Sequence, residues 1–110
     1  MSISTKLALM ATLALPLTAS ASEWTVTQPI AALQLDGSSQ DLYLTGGLKW
    51  GATSCPNATY VKVAQTLAGY KQLLAIGLAA KMAGTPIRLF GTCGTNGYFD
   101  ATYISVESQP

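Results

Sequence analysis

From Glu23 onward the chain alternates apolar and polar positions in pairs. "TYVKVAQ", Thr59–Gln65, sets Val61 and Val63 against Tyr60, Lys62 and Ala64, the period of a strand with one wet face. "LYLTGGLKW", Leu42–Trp50, places Leu42, Leu44, Leu48 and Trp50 on one face. The pair Gly46-Gly47 inside it predicts a bulge or a sharp bend. "EWTVTQPIAALQL", Glu23–Leu35, is rich in apolar and β-branched residues, and Pro29 demands an edge position or a bulge there. "PIRLFGT", Pro86–Thr92, and "YFDATYISVE", Tyr98–Glu107, predict two further strands. Turn-forming clusters separate them: "DGSSQD", "GATSCPNA" and "CGTNG".

One segment breaks the period of two. Leu67–Ala83 is dense in Ala, Leu, Lys, Gln and Met, all good helix formers. Gly84 stands where a C′ glycine ends a helix, and Pro86 follows. Leu73–Ala80 carries no polar side chain, yet Lys71 and Lys81 bracket it closely, far short of the roughly 20 apolar residues that a membrane span requires. On a helical wheel Leu73, Ile76, Gly77 and Ala80 share a side, the one expected to pack on the sheet. Leu74, Leu78 and Met82 fall largely opposite. A helix apolar nearly all round wants cover on both sides, so these three are expected to meet a neighbouring copy of the chain. The small Ala75, Ala79 and Ala83 leave a plainer alternative, a mildly apolar exposed face.

Strand, strand, strand, helix, strand, strand is the order of the OB-fold. The expected architecture is therefore mainly β with one helix: a small OB-fold-like five-stranded barrel, its helix between strands 3 and 4. An unrelated α+β sandwich of the same order is the alternative.

The first residues read as an address. Lys6 gives a positive start, Leu7–Leu17 an apolar run, and Ala19–Ala21 the small residues of a cleavage site. This predicts a signal peptide over 1–21, cleaved after Ala21, and a single secreted or periplasmic domain over 22–110. Without Lys6 the cations are Lys49, Lys62, Lys71, Lys81 and Arg88, matched by Glu23, Asp36, Asp41, Asp100 and Glu107. A neutral domain has no electrostatic footprint for nucleic acid. The only cysteines, Cys55 and Cys93, read as a disulfide in an exported chain. Two free thiols or two metal ligands are the competing readings, but with no His and no third Cys a zinc site is not reached.

Candidate chemistry is sparse. The absence of His removes any Ser-His-Asp arrangement. Of the acids only Asp100, in the last predicted strand, has a position of interest for a carboxylate, and a solvated strand position is the favoured reading of it. The expectation is a protein that is not an enzyme and holds no cofactor or metal. What remains is binding of a neutral polar ligand such as a glycan, with an aromatic ring packing on a sugar and amides and hydroxyls bonding its OH groups. A Cys55–Cys93 bridge would bring together the loops that carry Trp50, Thr53, Ser54, Asn96 and Tyr98, and these five are the predicted ligand-binding rim. For Trp50 a place in the core, continuing the Leu42, Leu44, Leu48 face, is the favoured reading.

A leader, about 90 further residues, one cysteine pair, five strands and a helix after the third together resemble the receptor-binding B subunits of AB5 bacterial toxins, in the pertussis-like and subtilase-cytotoxin branch. Glu23-Trp24, the turn "GTPIRLF" (Gly84–Phe90) and Cys93 carry the likeness. It implies a homo-oligomer, a ring of five with its helices lining a central pore, a glycan read on the outer face of each barrel, and a secreted enzymatic A subunit as partner. The family's serine-containing sugar pocket and its second cysteine pair have no counterpart in this chain.

Overall fold

A computed structural model describes residues 21–108. The expected signal peptide, Ala21 apart, lies outside the described residues. Six strands and one helix follow: β1 (Glu23–Trp24), β2 (Ile30–Leu35), β3 (Leu42–Gly46), β4 (Val61–Val63), α1 (Tyr70–Ala83), β5 (Ile87–Cys93) and β6 (Phe99–Val106). The strands form one sheet in the order β1-β5-β6-β4-β3-β2. Its pairings are antiparallel, except that β4 runs parallel to β6. Among the described residues the chain is mainly β with a single helix after its strand Val61–Val63, which is the expected class. The sheet has six strands rather than five because the first predicted strand divides at Pro29.

Residue Gln28 makes that division. Its backbone N–H donates to Ile87 O, and the Ile87 N–H donates back to Gln28 O, both at 2.9 Å. Pro29 then has no N–H to offer, and the chain leaves β5 for β3, with a register shift between Ile30 and Ala32. The two edge strands of the sheet are thus successive pieces of one stretch of chain. The Gln28 side chain, only 4% exposed, clamps the backbone beyond β3: Leu48 N–H donates to Oε1 at 2.9 Å and Nε2 donates to Leu48 O at 3.0 Å. Gly46 makes room, since a Cβ there would overlap the Gln28 amide.

Leu42, Leu44, Val61, Val63, Ile87, Leu89 and Phe99 fill the core from alternate strand positions. Trp50 joins them at 0% exposure, its indole N–H donating to Leu44 O at 3.3 Å. Leu48, expected on that same face, is instead 68% exposed. The bend after Gly46 and the Gln28 clamp end the alternation before it.

Helix α1 ends as expected. Gly84 takes the left-handed conformation, φ 69°, and its N–H meets the carbonyls of Ala80 and Lys81. Its packing face is the expected one at Leu73, Gly77 and Ala80, with Leu74 in the place of Ile76. Gly77 and Ala80 are buried, and Leu73 and Leu74 both pack against the core, while Ile76 is 42% exposed. A Cβ on Gly77 would lie 3.7 Å from Leu33 Cδ1. The two small residues let the helix backbone approach the sheet, and that brings Leu74 inward and turns Ile76 away. Leu78 and Met82 are exposed, at 47% and 80%. No helix among the described residues is long and apolar enough to cross a membrane.

Cys55 and Cys93 are bonded, with Cα atoms 5.6 Å apart. The bridge fits an oxidising compartment. It closes a 38-residue separation, worth about 4 kcal/mol in the chain-entropy account.

Candidate functional site

The outer face of the sheet carries a cluster of three tyrosines. Leu42 and Leu44 point into the core, so Tyr43 between them points out. Tyr60 and Tyr98 each stand one residue before a strand. Because β4 and β6 are parallel with Val61 opposite Phe99, the two tyrosines come side by side, and Phe99 N–H donates to Tyr60 O at 3.1 Å. Ring centroids lie 5.5 Å apart for Tyr43 and Tyr98, 5.8 Å for Tyr60 and Tyr98, and 6.2 Å for Tyr43 and Tyr60, all edge to face. That arrangement suits the aromatic quadrupole and holds the rings as a preformed platform.

With Gln34 and Asp36 the tyrosines line an open depression of 280 Å³. The depression is open to solvent, so a ligand there would rest on the surface rather than be enclosed. Gln34 stands opposite Tyr43 in register, Tyr43 opposite Lys62, and Lys62 opposite Asp100. Asp36 Oδ1 accepts the Ser38 N–H at 2.9 Å, the Ser38 hydroxyl at 2.8 Å and the Ser39 N–H at 3.4 Å. These bonds, the Ser38 N–H foremost, hold its carboxyl below the usual carboxylate range. Partial loss of water pushes the Tyr43 phenol up, so it stays a neutral group that both donates and accepts. Lys62 Nζ lies 3.8 Å from Asp41 Oδ2.

The five predicted rim residues do not gather. Trp50 is enclosed in the core and offers a ligand no surface. Thr53 and Ser54 line a separate depression with Ala21 and Glu23, where the Ser54 hydroxyl and N–H donate to the Glu23 carboxylate. Asn96 is exposed in the turn before Tyr98. The bridge does join the two loops, since Ser54 and Gly97 line one hollow beside it. Only Tyr98 belongs to the tyrosine platform. Tyr43 and Tyr60 were missed, though strand alternation already turns both outward.

A second aromatic row was missed as well. Trp24, Phe90 and Tyr103 lie across β1, β5 and β6, with centroids 5.0 Å (Trp24 to Phe90), 5.6 Å (Trp24 to Tyr103) and 6.1 Å (Phe90 to Tyr103) apart. The Arg88 guanidinium sits 4.1 Å from the Trp24 ring centroid and pairs with Glu107 at 3.2 Å.

No family model matches the chain, and no curated protein or solved structure matches it.

Proposed function

We propose that the chain is an exported, non-enzymatic binding protein that takes carbohydrate on the tyrosine platform. The observation that carries this reading is the convergence of Tyr43, Tyr60 and Tyr98 with Gln34 and Asp36 around one shallow hollow. Rigid aromatic faces suit the apolar side of a pyranose, and phenol, amide and carboxylate groups suit its hydroxyls. The disulfide supports export. The likeness to toxin B subunits supports a glycan ligand and assembly into a ring with an enzymatic partner, and the exposed Ile76, Leu78 and Met82 on α1 supply an apolar surface for such assembly. A closed OB-like barrel is the finer fold we propose. Its support is that β1 and β2, the outermost strands, are joined through Gln28, which pairs with Ile87 one residue before the chain turns to β3. A periplasmic structural or inhibitory protein without a sugar ligand is the second reading, favoured by the row Trp24, Phe90 and Tyr103, which suits a protein contact.

The test is a glycan array probed with the purified protein, followed by titration of the best sugar. Tyr60→Ala and Tyr98→Ala are expected to weaken binding about tenfold or more, the order of one lost aromatic stacking contact, with circular dichroism unchanged. A wild-type protein that retains no glycan would overturn the carbohydrate reading.

A further inference from the structure

The charges around the tyrosine platform are unequal. Asp36 lines the hollow itself. Asp41 stands just before β3, and Asp100 points outward between the buried Phe99 and Ala101. The ammonium set among them, Lys62, is placed opposite Tyr43 and Asp100 and lies against Asp41. Lys49 donates to Thr59 Oγ1 at 2.9 Å, one residue before Tyr60. The chain's single arginine, Arg88, is occupied elsewhere, over Trp24 and against Glu107. Three hydrogen bonds to Asp36 fall on Oδ1, and its carboxylate lines the hollow as a negative group.

Resting on the carbohydrate reading, we infer that this site selects saccharides without an acidic group, taking neutral and amino sugars and rejecting sialylated, uronic or sulfated ones. A sugar hydroxyl or ammonium donates to the Asp36 carboxylate, and the tyrosine faces, negative at their centres, favour a nearby cation. A carboxylate or sulfate brought to the same place meets Asp36 directly. The planar fork that recognises such anions two bonds at a time is supplied by arginine, and none faces this hollow.

The experiment uses an array of matched oligosaccharides in neutral, de-N-acetylated, sialylated and sulfated forms, read at low and at high salt. Neutral and amino forms are expected to bind about five- to tenfold more tightly than their acidic counterparts at low salt, the scale of one partly screened like-charge contact. The gap should narrow as salt rises. In Asp36→Asn, whose amide oxygen can still accept the Ser38 bonds, the ratio of neutral to acidic binding should fall toward one. Acidic forms that bind as well as neutral ones, or a ratio that Asp36→Asn leaves unmoved, would overturn this inference while leaving the carbohydrate reading standing. No retention of any form would remove both.

Discussion

Gln28 ties its own stretch to two others: to β5 through its backbone, and through its amide to both hydrogen-bonding groups of Leu48. The change Gln28→Glu keeps the shape but loses the donor to Leu48 O and buries a charge. We expect it to destabilise the protein by about 2–4 kcal/mol at pH 7, measured by urea unfolding. Burial raises the folded-state pKa of the new carboxyl above its unfolded value, so the loss should shrink as the pH falls through that raised value. A variant as stable as wild type at pH 7 would show that the clamp is idle. At this scale the sequence was partly legible. The alternation around Tyr43 and Tyr60 turned both outward, and the Leu42, Leu44, Val61 and Val63 faces were read correctly. The meeting of the two tyrosines with Tyr98 depends on the parallel register of β4 and β6, a pairing between distant segments that no local pattern encodes. Nothing near Gln28 marked it as buried, because a glutamine in a strand reads by default as a wet position.

Among the elements, α1 divides into what its sequence could and could not show. Its ends were legible, since Gly84 has no Cβ to oppose the left-handed cap. Its inward face was legible in part: Leu73, Gly77 and Ala80 turn in as expected, but Leu73–Ala80 is apolar on every side, so periodicity could not tell Leu74 from Ile76. Size decided instead, through Gly77 and Ala80. Leu74 and Leu78 therefore give a paired test. Leu74→Glu puts a charge against the core and should cost about 3 kcal/mol or more. Leu78→Glu, on the exposed side, should leave folding within about 0.5 kcal/mol yet dissociate the assembly proposed above, where each buried leucine would contribute about 1.5–3 kcal/mol. Sedimentation separates the outcomes: an oligomeric wild type with a folded, monomeric Leu78→Glu supports assembly through α1. A wild type that stays monomeric at tens of micromolar leaves it without support.

Across the whole molecule, the response to acid follows from three carboxylates held by neighbours. Glu23 is kept low chiefly by the Ser54 hydroxyl, Asp36 by the Ser38 N–H, and Glu107 by the Ser105 hydroxyl. A depressed folded-state pKa contributes stability that is present above the unfolded value and lost as the pH falls through the folded one. The chain has no histidine, so no imidazole titrates between pH 5 and 8. The melting temperature should be level from about pH 8 to 5 and decline below about pH 4, less steeply in Glu23→Gln. The strand order carries a further consequence, in time rather than in energy. β1 pairs with β5, from the far end of the chain, so Trp24 is made long before Phe90 and must wait for it. Meanwhile β5 and β6, near neighbours in sequence, can zip together first and leave the outer edge of β5 bare. A bare edge recruits strands from other molecules. The short stretch Glu23–Gln28 is therefore the gatekeeper of refolding: while it is undocked, a second molecule's strand can take its place, and the yield of soluble, correctly folded product will fall with rising protein concentration even where the finished fold is stable.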